Sequence, residues 1–271
     1  MKQRSSNEKV TIYLAIFFIL FLAVILVLYF LGIIGGDKPT VDIVLNKDVI
    51  VKYEKDKWVE VKSKDYSNYN WKKFKVYEEG QKKGTYSLFI SEKDFYLFKE
   101  ENNKRTSIDA LDGSLYLGGK KDSKFIQFNK EDLADDDITY ITSVLKKNKI
   151  SDNDLNNYIL GYKVVEDFDD DNKKEVMYVI SNVFNDDVKN NAYSLVFIKD
   201  GNKTNYIYKS IGNAENRLEQ CRVDLLGLVQ VQNDEKTKIF TKCSYYSYSH
   251  DTEYGIYQNR YNNYELLLYI K

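Results

Sequence analysis

Hydrophobic and polar positions divide the chain into distinct regimes. Val10 to Gly36 is an uncharged run of 27 residues, VTIYLAIFFILFLAVILVLYFLGIIGG. From Val41 to Phe128, short apolar or alternating runs are broken every few residues by charged, Asn or Gly clusters. One stretch near 130–147 changes to helical spacing, and alternation then returns to the C-terminus.

The 10–36 run predicts a single-pass transmembrane helix that acts as an uncleaved signal-anchor. At about 1.5 Å per residue it spans a hydrocarbon core of roughly 30 Å with some tilt, and helical hydrogen bonding satisfies its backbone where water is absent. A cleaved signal peptide would have an apolar core of only about 7–15 residues. Lys2, Arg4 and Lys9 outweigh Glu8 on the N-terminal flank, whereas Asp37 and Lys38 cancel on the other side. Residues 1–9 are therefore expected in the cytoplasm and the remainder outside, at the cell membrane.

VDIVL (41–45), VIVKYE (49–54) and KWVEVK (57–62) read as a meander of short strands separated by charged turns. The pattern continues through TYSLFIS and DFYLFKE, after a loop bounded by Gly80 and Gly84, and through a hairpin-like unit at Gly118-Gly119. In NKEDLADDDITYITSVLKKNK, Leu133, Ile138, Ile141 and Leu145 fall at nearly helical spacing, with acids early and lysines late. A helix is expected over about 130–147. Asp135, Asp136 and Asp137 read as solvated groups at its positive end.

The densest chemistry lies in YILGYKVVEDFDDDNKKEVMYVISN (158–182), two apolar strands flanking an acidic loop. Asp167, Asp169 and Asp171 alternate, Asn172 takes the sharp-turn position and Glu175 follows four residues after Asp171. Hard cations such as Ca²⁺ take six to eight oxygens, and carboxylates at loop positions 1, 3, 5 and 9 converge on one point. The carbonyl of Lys173 would add an oxygen. The twelfth-position glutamate and flanking helices of an EF-hand are missing.

The loop resembles the strand–loop–strand calcium loop of FG-GAP and VCBS-type repeats, found in integrin-like β-propellers, whose core reads D-x-D-x-D-G-x-x-D. Asp167, Asp169, Asp171 and Glu175 match position by position, with Asn172 at the glycine and Glu175 at the last aspartate. The resemblance implies a structural Ca²⁺ held by Asp167, Asp169, Asp171, Lys173 and Glu175. A shift of 63 residues lays Gln230, Gln232, Asp234 and Lys238 over Asp167, Asp169, Asp171 and Glu175, again between apolar strands. Each loop precedes a tyrosine-bearing hairpin, the first turning at Asp200-Gly201. Two four-stranded units, about 158–210 and 220–270, are expected.

The expected fold is mainly β: a transmembrane helix (10–36), an N-terminal β region (37–128), a helical connector (129–150) and propeller-blade-like repeats carrying the acidic loop (151–271). Beyond the anchor, acidic and basic residues nearly balance, which argues against a nucleic-acid surface. Cys221 and Cys243 are the only cysteines; they either pair, as the exterior would permit, or sit buried as thiols. His250 is the only histidine and lies in a polar loop, SYSHDTEY, with no cluster for zinc and no glycine-rich phosphate loop elsewhere. Tyr245, Tyr246, Tyr248, Tyr254, Tyr257, Tyr261 and Tyr264 either form a binding face or cover a sheet. The reading is an anchored extracellular binding or scaffold protein whose partner is a protein or a cell-wall glycan, with no catalysis inferred. The rival classes are an exported hydrolase with an unrecognised site and a structural subunit of a membrane complex.

Overall fold

The computed structural model describes residues 14, 17–25, 40–92, 94–101, 104–109, 113–118, 123–155, 159–169, 171–232, 234–245, 252–260 and 263–271. Met1–Lys38 and Pro39–Lys271 are separate compact units. The transmembrane, single-pass reading is corrected: among the described residues no helix is long and apolar enough to cross a membrane. Of the 10–36 run, residues 14 and 17–25 are described, and they are helical. Positions 10–13, 15–16 and 26–36 lie outside the described residues.

In the second unit the alternating runs form strands, as period-2 patterning requires. The first sheet has eight antiparallel strands: β1 (Val41–Leu45), β2 (Val49–Glu54), β3 (Lys57–Glu60), β4 (Lys73–Glu78), β5 (Gln81–Ser91), β6 (Asp94–Glu101), β7 (Lys104–Asp109) and β8 (Ser114–Leu117). Their order is β3-β2-β1-β8-β4-β5-β6-β7. Gly84 does not bound a loop; it lies inside β5, where the pairing with β4 shifts register between Val76 and Tyr77.

The next strand, β9 (Ser123–Ile126), leaves this sheet and pairs with a strand some hundred residues later. A second sheet is the four-stranded meander of β10 (Leu160–Glu166), β11 (Glu175–Ser181), β12 (Asn191–Asp200) and β13 (Lys203–Asn213). The third comprises β14 (Cys221–Val231), β15 (Asp234–Tyr245), β16 (Glu253–Arg260) and β17 (Asn263–Ile270), with β9 added beside β14.

One core joins all three sheets. Val41, Ile43 and Leu45 of β1 meet Met177 and Val179 of β11 and Leu228 and Phe240 of the third sheet in one buried cluster. Val44, Ile50 and Tyr116, on the opposite face of the first sheet, pack with Leu88, Phe95 and the 3₁₀ turn Ser63–Tyr69. Because both faces are covered, residues 43–45 of β1 are all apolar instead of alternating. The second sheet is likewise covered twice: Tyr178, Ile180 and Phe197 face a helix, α1 (Asp135–Lys147).

That helix begins five residues later than its spacing suggests, because Glu131 forms an antiparallel bridge with Lys163. Ala134 cannot cap it through a side chain, so Asp137 accepts the Ala134 N–H at 3.0 Å instead. Asp137 is buried, not solvated: it also accepts Lys163 Nζ at 2.7 Å and the Tyr178 hydroxyl at 2.8 Å. Burial disfavours its charge, but these partners outweigh burial and hold the carboxyl below its ordinary range. In the short helix α2 (Asp152–Leu155), Asp154 accepts the amides of Lys189, Asn190 and Asn191 and so fixes the chain entering β12.

Cys221 and Cys243 are joined in a disulfide with Cα atoms 5.4 Å apart, between neighbouring strands β14 and β15. The described tyrosines of the C-terminal cluster do not make an open binding face: Tyr254 and Tyr257 are buried, and Tyr245 and Tyr264 pack against the core. Tyr246, Tyr248 and Tyr261 lie outside the described residues.

Candidate metal centre

The acidic loop is the turn of the β10–β11 hairpin, closed by the Glu166–Glu175 pair. Phe168, fully buried, anchors it to the common core, and its amide donates to Glu175 Oε2 at 2.8 Å. Asn172 adopts φ +68°, the left-handed turn that its short polar side chain tolerates in place of glycine. One oxygen from each of Asp167, Asp169, Asp171 and Glu175 can be chosen so that all lie within 4.8 Å of one another.

Backbone amides hold the carboxylates in place. Asp167 accepts from the Asp171 and Asn172 amides at 3.1 and 2.8 Å, and Asp169 accepts from the Asp171 amide at 3.3 Å. Lys173 contacts the cluster through Asp171, by its amide at 2.8 Å and its ammonium at 3.0 Å.

Burial and the neighbouring charges shift the titration of these carboxyls in opposite directions. Burial, reinforced by the three aspartates against the Phe168 amide, pushes Glu175 up to about 7. Burial and then the charges of Asp171, Asp167 and Asp200 raise Asp169. Lys173 holds Asp171 below its ordinary value. Among the described residues, the Lys173 ammonium stands against four clustered carboxyls, which leaves an excess of negative charge, the donor set that a hard cation with oxygen ligands requires.

Asp200 was legible in the sequence only as a turn residue. Its hairpin, with Gly201 at φ +55°, brings it near enough to act on Asp169. Tyr264 of β17 was also missed as a neighbour; burial, followed by Asp169, Glu175 and Asp200, raises its hydroxyl. Both influences come from other strands, where no local spacing announces them.

The 63-residue shift reappears in the strand pairing. Glu166–Glu175, Val165–Val176 and Val164–Met177 in the first hairpin correspond to Val229–Lys238, Leu228–Ile239 and Gly227–Phe240 in the second. The second loop is tighter, closing at Val231–Asp234.

No family model, curated protein or solved structure matches this chain. The FG-GAP resemblance therefore rests on the residues of the loop alone. His250 lies outside the described residues. A separate open cleft of about 550 Å³ lies between β2–β3 and the 3₁₀ turn, lined by Lys52, Glu54, Glu60, Lys64, Asp65 and Tyr69 among others. Lys52 pairs with Glu54 at 2.6 Å, and Tyr69 donates to Asp42 at 3.2 Å, so much of its polar lining is already engaged.

The raised Glu175 sets a pH dependence. Without metal, the folded chain holds this proton more tightly than the unfolded chain, so the stabilisation is complete below about 4.5 and is lost as pH rises through about 7. Thermal unfolding in chelator across this window should show a falling melting temperature, and Glu175→Gln should flatten that component of the slope.

Proposed function

We propose that residues 39–271 form a calcium-stabilised β module that acts by binding a partner, a protein or a cell-wall glycan, and performs no chemistry itself. The observation that carries this reading is the four-carboxyl cluster at the β10–β11 turn, against which the described residues set one ammonium, Lys173 Nζ at 3.0 Å from Asp171. Calcium would neutralise the cluster through Asp167, Asp169, Asp171 and Glu175, with the Lys173 carbonyl as a further oxygen, and so rigidify the hairpin. In this reading the two C-terminal meanders are blade-like repeats built on one hairpin plan, and the matched pairing across the 63-residue shift supports it. The Cys221–Cys243 disulfide supports a location on the oxidising side of the cell.

Trypsin tests the reading directly, since Lys173 and Lys174 lie in the loop and are exposed. Millimolar calcium should slow cleavage after these residues at least tenfold relative to chelator, and magnesium should not. Equal cleavage rates with calcium and chelator would overturn the calcium assignment.

A further inference from the structure

The loop of the second hairpin carries few carboxylates, yet it is not without a cation. Lys238 occupies the position equivalent to Glu175, with its side chain turned inward and wholly buried. Its ammonium donates to the Lys236 carbonyl at 2.7 Å and lies 2.8 Å from Asp234 Oδ2. Under the 63-residue shift, Asp234 corresponds to Asp171 and Lys236 to Lys173. By sequence these are loop positions 5 and 7, which supply a carboxylate and a carbonyl to a bound ion, and in the tighter second turn Asp234 does so from the first position of β15. An ammonium at 2.7–2.8 Å from oxygen acceptors makes charge-assisted hydrogen bonds, and burial of the charge requires such partners. The Tyr53 hydroxyl of β2 also bonds Asp234, and burial, followed by Asp234 and Asp56, raises it. The second loop is thereby tied to the first sheet.

We propose that the two hairpins carry the same cation site in two forms: the first takes a divalent cation from solution, and the second is filled permanently by the Lys238 ammonium. The part of this proposal that concerns the first loop rests on the calcium reading above; the part that concerns the second stands on its own contacts. The substitution of glutamate by lysine at the ninth position inverts the charge, which makes the lost carboxylates at Gln230 and Gln232 consistent: a single positive charge needs fewer anionic ligands than calcium. The chain then binds one calcium, and its β14–β15 hairpin is indifferent to calcium removal.

The test is calcium titration by calorimetry, with thermal unfolding in parallel, on the full chain and on a Gln232→Asp/Lys238→Glu double variant. The double variant restores the third and ninth carboxylates while keeping Asp234 and the Lys236 carbonyl. We expect it to unfold at a lower temperature in chelator, to recover in millimolar calcium, and to bind one more calcium than the unaltered chain. An unaltered stoichiometry with no calcium-dependent recovery would overturn the proposal. If the unaltered chain binds none and the variant binds one, the second-loop assignment stands and the first-loop reading fails. Should the variant not fold, nitrogen-15 NMR of the lysine side chains in the unaltered chain decides: a Lys238 ammonium signal protected from solvent exchange supports the proposal, and a neutral or freely exchanging amine there overturns it.

Discussion

Asp137→Ala is expected to lower the unfolding free energy by about 3 kcal/mol, because it removes one partner of a largely buried ion pair and strands the others. Lys163 Nζ, the Tyr178 hydroxyl and the Ala134 amide all lose their acceptor at once. The loss falls at the junction between α1 and the second sheet. Tyr178 and Phe197 would then be covered by a helix without its N-terminal fastening. Asp135→Ala and Asp136→Ala, two residues and one residue earlier and exposed, should each cost under about 0.5 kcal/mol. Urea unfolding of the three variants measures the contrast. Equal small losses at all three positions would mean that Asp137 is as dispensable as its neighbours.

Removal of the Cys221–Cys243 disulfide, by paired substitution with alanine, should cost about 3 kcal/mol. The bridge spans 22 residues of sequence, and closing a loop of that size restricts the unfolded chain by roughly this amount. The folded state should persist, since both positions are buried among Val223, Ile239 and Tyr254, and β14–β15 pairing continues on either side. The measurement is the urea midpoint of the paired variant against the unaltered chain under oxidising conditions. Addition of reductant should shift the unaltered chain toward the variant and leave the variant unmoved.

The β class, most strand positions and the two four-stranded C-terminal meanders were legible because alternation reports on one buried face at a time. The arrangement of strands into sheets was not. The segment that becomes β9 is four residues long and pairs with β14, so only the shape of the assembled core selects its partner. Asp135, Asp136 and Asp137 look alike in a string. A helix rotates each by about 100°, and only the third turns towards Lys163 and Tyr178. Tyr254 and Tyr257 have the composition of a binding face, but β16 sits between β15 and β17 and its tyrosines are enclosed. The 10–36 run was legible as apolar composition alone, and the described helix within it covers nine residues.

At the candidate centre the spacing of Asp167, Asp169, Asp171 and Glu175 anticipated their convergence, because a hairpin turn is a local structure whose geometry follows from adjacent residues. The involvement of Asp200 and Tyr264 did not follow from spacing, since both arrive from other strands. Lys238 is the most instructive case. Read against a carboxylate motif it is a missing ligand, whereas its burial and its contacts to Asp234 and Lys236 make it a charge-bearing part of the second loop.

Calorimetric titration with calcium, with the melting temperature followed in parallel, on the unaltered chain and Asp169→Ala decides whether the β10–β11 loop holds the ion. Saturable binding of one ion and a raised melting temperature are expected in the unaltered chain, with both lost in Asp169→Ala. No heat of binding and an unchanged melting temperature in the unaltered chain would contradict the calcium assignment.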